Sequence, residues 1–123
     1  MKVEFLENSH DGPLIRLYDF SNDEVTELKR LLDKLVEGGI DALPLHEHCN
    51  INPRDSCHLT FVSADEDKGI ERKGAEFECT LTISSLGIIS ELVGSFAFAP
   101  EEGYEWLDET SPIALLISPD KRW

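Results

Sequence analysis

The stretch Glu76–Ile83 constrains this chain most. Phe77, Cys79, Leu81 and Ile83 alternate there with Glu76, Glu78, Thr80 and Thr82. An extended backbone turns successive side chains to opposite faces, so the pattern specifies a strand with one face in a core and the other in water. Such a strand needs a second layer over its apolar face.

The clearest candidate for that layer is a helix beginning after Ser21-Asn22-Asp23-Glu24. These four residues form a capping box, in which the Ser21 hydroxyl accepts from the Glu24 amide and the Glu24 carboxylate accepts from the Ser21 amide. Phe20 and Val25 occupy the positions of a hydrophobic staple. Val25, Leu28, Leu31, Leu32, Leu35 and Val36 then recur at helical spacing, and Gly38-Gly39 ends the run.

Strands account for most of the remainder. Lys2–Glu7 and Pro13–Phe20, separated by the turn cluster Asn8–Gly12, read as an antiparallel hairpin. Ala42–His48 reads as a weaker strand, which Pro44 confines to a sheet edge because it cannot donate to a ladder. In Cys57–Ser63, Cys57, Leu59 and Phe61 face one way while His58, Thr60 and Val62 face the other. The charged segment Ala64–Gly74 is expected to be a loop, making Cys57–Ser63 and Glu76–Ile83 an antiparallel pair. Beyond Ile83, the spacing of Leu86, Ile89, Val93 and Phe96 predicts a second helix, despite Gly87 and Gly94. Tyr104 and Trp106 share a face of a short strand. Ile113–Ile117 is apolar on both sides and is expected in the interior of a sheet. The fold class is therefore α+β, a mainly antiparallel sheet with two helices in the order β-β-α-β-β-β-α-β-β. Residues 1–123 are expected to form a single domain.

Charge narrows the partners. Twenty-five Asp and Glu against 11 Lys and Arg leave a net charge of −14 and a pI near 4.5. Such a surface repels phosphate backbones and anionic lipids, so neither nucleic acid nor membrane is expected as a partner. It attracts a basic protein over long range, and the acidic surplus is expected to gather into a docking face. The start of the chain has no basic segment followed by an apolar run, so no signal peptide is expected. The apolar-rich stretch Leu86–Ala99 is too short to span a membrane. An odd number of cysteines without an export signal points to reduced thiols and a cytoplasmic protein.

The densest cluster of chemically capable residues is His46-x-His48-Cys49 with Cys57-His58. Nitrogen and sulfur ligands on neighbouring strands could gather a zinc ion. The spacing is not that of a CxxC knuckle, however, and Cys57 is expected to point into the core. Solvated histidines beside ordinary buried thiols are the preferred reading. Asp65-x-Asp67-x-Gly69, with Glu76, has the outline of half a calcium loop, but Ile70 stands where the sharp turn needs glycine. Cysteine–histidine dyads from Cys57 with His58 or Cys49 with His48 are disfavoured, since strand neighbours point to opposite faces. No GxSxG, P-loop or GxGxxG motif is present, so no catalytic residue is assigned, no cofactor is expected and the chain reads as a non-enzyme. Tyr104, Trp106 and Trp123 are the aromatic anchors. Exposed among the acids Glu101, Glu102, Glu105, Asp108 and Glu109, they have the composition of an interface hot spot with an acidic rim. The equal alternative is that the two tryptophans close one end of the core.

Gly103-Tyr104-Glu105-Trp106-Leu107, Ile117-Ser118-Pro119 and the terminal Trp123 resemble the C-terminal pattern of small uncharacterised bacterial proteins of immunity-protein type. The resemblance spans roughly the last fifth of the chain and transfers no catalytic or binding residue. It implies a small acidic protein that neutralises a basic toxin by covering it. The leading expectation is accordingly a non-enzymatic protein-binding domain, and the alternative is a metal- or small-ligand-binding domain built on the His/Cys cluster.

Overall fold

The computed structural model describes residues 1–10, 12–48, 52–53, 57–97 and 103–119. Two sheets and two helices share one apolar core. The elements in chain order are β1 (Lys2–Ser9), β2 (Gly12–Tyr18), α1 (Asn22–Val36), β3 (Ala42–Pro44), β4 (Asn52–Pro53), β5 (His58–Ser63), β6 (Gly69–Lys73), β7 (Glu76–Leu81), α2 (Ile83–Ser95), β8 (Glu105–Asp108) and β9 (Ala114–Ser118). The α+β class and the expected order hold, with β4 and β6 as additional short strands. Sheet A runs β4-β1-β2-β9-β8 and sheet B runs β3-β5-β7-β6. Four ladders are antiparallel; β1–β4, β2–β9 and β5–β7 are parallel.

Helix α1 forms as its sequence dictates. Both hydrogen bonds of the capping box are present, from the Glu24 amide to Ser21 Oγ at 3.2 Å and from the Ser21 amide to Glu24 Oε1 at 2.9 Å. At the other end the Gly38 and Gly39 amides donate to the carbonyls of Leu35 and Lys34, at 3.3 and 2.9 Å. This closure needs the positive φ of 82° that Gly38 supplies without a Cβ penalty. Val25, Leu28, Leu31, Leu32 and Leu35 are buried, and α1 packs against α2, β3 and β5. Lys29 of α1 reaches across α2 to donate to Ser90 Oγ at 3.1 Å and pairs with Asp33 at 3.2 Å. Its side chain lies on Gly94, where a Cβ would stand 2.7 Å from Lys29 Cδ.

The two sheets bury their faces differently. In sheet A, Val3 and Phe5 lie opposite Leu17 and Ile15, which in turn lie beside Ile117 and Leu115; together they form the core face. The reverse face of β2 is buried too, at Leu14, Arg16 and Tyr18. There Arg16 pairs with Glu4, its guanidinium stands 3.9 Å above the Tyr18 ring, and the Tyr18 hydroxyl donates to Glu4 at 3.3 Å. Sheet B is one-sided. Leu59, Phe61, Phe77 and Cys79 are buried, while Thr60, Glu71, Glu76 and Glu78 on the reverse face are partly or fully exposed.

Three expectations are corrected. The strand begun at Glu76 ends at Leu81, because Thr82 caps α2 by accepting from the Ser85 amide at 3.2 Å; Ile83 is a helix residue, 51% exposed. The strand at Ala42 ends at Pro44 and passes into a 3-10 turn, Leu45–Glu47. The charged segment 64–74 is not a plain loop, since it contains β6. β6 forms a hairpin with β7 across Gly74-Ala75, and β7 returns between β6 and β5. Strands β5 and β7 therefore run parallel, in the register His58↔Glu76. Pro44 does place β3 at an edge of sheet B, as its missing donor requires.

Strand β6 also joins the sheets. Ile70 bridges to Ile113, and its amide donates to Ser111 Oγ at 3.1 Å. Gly69, at φ 75°, sits so close to this segment that a Cβ would lie 2.7 Å from the Ser111 backbone nitrogen. On the core side, Phe5 of β1 meets Phe77 of β7 with ring centroids 4.9 Å apart, and the Arg72 guanidinium lies 5.5 and 5.4 Å from the two rings.

Candidate functional site

Among the described residues, the sequence-predicted site side chains fall in two regions. The first is the end of sheet A. Strand β8 is the terminal strand, paired antiparallel to β9 with Trp106 opposite Leu116 and an irregularity between Trp106 and Asp108. Leu107 turns into the core. Trp106, on the opposite face, is half-buried, and Tyr104 is 49% exposed with its ring edge-on to Trp106 at a centroid distance of 6.4 Å. Glu105 and Glu109 are exposed beside them. Asp108 belongs to the turn instead: one carboxylate oxygen accepts from Thr110, and the other is enclosed near Gly69 without a hydrogen-bond partner among the described residues. The site expected from sequence is thus reduced to Tyr104, Glu105, Trp106 and Glu109.

The exposed acids are carried by several elements of the fold. Exposed carboxylates lie on α1 (Asp23), after it (Asp41), in the turn after β5 (Asp65, Glu66), on α2 (Glu91) and on β8 (Glu105). Among the described residues, β8 and the adjoining Tyr104 add exposed aromatic surface to this charge.

The second region is the exposed face of sheet B. Of the sequence-predicted cluster, the fold brings His46 and His58 together. Their rings stack with centroids 4.2 Å apart and planes 13° from parallel. The antiparallel ladder Ala42↔Val62, Leu43↔Phe61, Pro44↔Thr60 brings the end of β3 alongside β5, and the 3-10 turn that follows, Leu45–Glu47, carries His46 to the His58 ring. The parallel ladder sets Glu76 beside His58 on the other side, with Glu76 Oε1 3.9 Å from His58 Nδ1.

The other members of that cluster are elsewhere. Cys57 points into the core, where burial first and the negative charge of Glu4 second push its thiol up to about 11. Burial raises the Cys79 thiol further still. Both thiols are buried in the core cluster, which includes neither His46 nor His58. His48 closes the 3-10 turn through its amide, which donates to Leu45 at 3.1 Å. Cys49, Glu101, Glu102 and Trp123 lie outside the described residues. Glu76 was missed because, read alone, it is only the polar face of a strand; its place beside His58 depends on the parallel pairing.

The calcium-like half loop has another use. Asp67 accepts from the Thr82 amide at 2.7 Å and from the Ser85 hydroxyl at 2.8 Å, so its carboxylate ties the turn after β5 to the start of α2. These bonds, that of the Thr82 amide first, hold its carboxyl below the usual range. Glu76 is turned toward His58, away from this role.

Between α1 and α2 runs an open groove lined by Thr26, Lys29, Glu91, Gly94, Ser95 and Ala97. No helix among the described residues is long and apolar enough to cross a membrane. No family model, curated protein or solved structure matches the chain.

Proposed function

We propose that this chain is a non-enzymatic, cytoplasmic protein-binding domain that docks a basic protein at the end of sheet A, in the manner of an immunity protein covering a toxin. The observation that carries the reading is the aromatic pair at β8, with Tyr104 49% exposed and Trp106 set edge-on against it between two exposed glutamates. Aromatic side chains are the commonest anchors of interfaces because they bury a large area with few rotatable bonds. Each roughly 100 Å² of such surface taken from water contributes about 2.5 kcal/mol.

Charge and backbone support the same mode. A net charge of −14 accelerates encounter with a basic partner from any direction, after which Glu105 and Glu109 surround the aromatic contact. Strand β8 is four residues long and irregular. Short, bulged edges resist the addition of a further strand, so docking is led by side chains. The buried, protonated thiols of Cys57 and Cys79 accord with a non-catalytic role in a reducing compartment.

The test is affinity capture from extracts of the source organism with the wild type and the Tyr104→Ala/Trp106→Ala double variant. The wild type should retain a basic protein at low salt and release it at high salt, and the folded double variant should not retain it. Equal retention by both chains, or no salt-sensitive basic partner, contradicts the proposal.

A further inference from the structure

We propose that His46, His58 and Glu76 form a binding site for a divalent first-row transition-metal ion of the zinc class. The site is independent of the β8 surface, which belongs to the other sheet. One ligand atom from each of the three residues lies within 4.8 Å of the others. The parallel ladder sets Glu76 beside His58, and the 3-10 turn that follows β3 brings the His46 ring onto the His58 ring.

The second observation is at His46. Its Nδ1 is enclosed and has no hydrogen-bond partner among the described residues. Enclosed polar atoms are nearly always satisfied, and an ion or water commonly accounts for the exceptions. With no acceptor in reach, the ring is better satisfied with its proton on Nε2, which leaves Nδ1 as a bare lone pair.

The donor set decides the ion. Two imidazoles and one carboxylate suit zinc and its first-row neighbours, whereas calcium and magnesium take oxygen ligands. Three protein ligands leave a position for water or a ligand group. The chain's net negative charge favours holding a dication. The stacked rings present their lone pairs side by side, so shared coordination requires one ring to turn. His58 and Glu76, with side chains 36% and 65% exposed, have the room to move. Drawing the donors to the usual metal–ligand lengths of about 2.0–2.2 Å closes the group around the ion.

The experiment is calorimetric titration of zinc chloride into the full chain at neutral pH, after removal of metal with a chelator. The wild type should bind one equivalent saturably, and His58→Ala and Glu76→Ala should each weaken binding by more than about tenfold. His48→Ala should bind as the wild type does. Circular dichroism checks folding; should His46→Ala fail to fold, the two exposed ligands decide the matter. Absence of saturable binding overturns the proposal. So does wild-type affinity in both His58→Ala and Glu76→Ala, or loss of binding in His48→Ala alone.

Discussion

Sheet A hides both of its faces at β2, whereas sheet B hides one and leaves most of the other half-exposed or exposed. In sheet A a polar residue has to be satisfied by its neighbours, and Glu4, Arg16 and Tyr18 are consumed in satisfying one another. In sheet B the polar face needs no such closure, and His46, His58 and Glu76 can stand together with capacity to spare. Polar clusters of similar size thus differ in purpose according to burial. The enclosed one maintains the fold, and the exposed one is available to a ligand.

Substitutions should separate the two sheets by size of effect. Glu4→Ala leaves the buried Arg16 charge without its carboxylate and should cost about 3 kcal/mol in urea denaturation. Gly69→Ala, at the joint between the sheets, forces a side chain into φ 75° and against the Ser111 backbone. It should cost between about 1 and 3 kcal/mol by the same measurement.

Asp67→Asn probes how sheet B is tied to α2. Hydrogen bonds from Thr82 and then Ser85 lower the Asp67 carboxyl below its ordinary value of 3.8 in the folded chain. Its contribution to stability is therefore complete above that unfolded value and is lost as pH falls through the lower folded one. The urea midpoint of the wild type should fall more steeply than that of Asp67→Asn between about pH 5 and pH 2. His58→Ala should change stability by less than about 1 kcal/mol without metal, since its side chain is partly exposed and its contacts are with His46 and Glu76. Smallest of all, Tyr104→Ala should shift stability by no more than about 0.5 kcal/mol while weakening partner capture. A large loss of stability there would move Tyr104 from the docking surface to the fold.

Much of this architecture is legible in the sequence where one physical rule acts alone. The capping box and apolar stripe define α1, Pro44 sends β3 to an edge, and the two-sided apolar run Ile113–Ile117 marks the interior strand β9. Strand β6 escaped because its signal is weak: in Gly69-Ile70-Glu71-Arg72-Lys73 Ile70 is the one large apolar residue, and the charges that suit an edge strand also resemble a loop. That omission reversed the inferred sense of β5 relative to β7. It also concealed the metal-capable group, since Glu76 reaches His58 only when the two strands run parallel. The proposed docking residues were legible by type but not by direction. Sequence could not tell that Asp108 closes a turn while Tyr104 stands in water.

Photo-crosslinking from two positions is the decisive measurement for a basic partner at the end of sheet A. A benzophenone side chain would be placed at position 104, beside β8, or at position 71, on the exposed face of sheet B. A salt-sensitive crosslink to a basic protein is expected from position 104 and none from position 71. A crosslink from position 71 with none from position 104 would overturn the proposed docking.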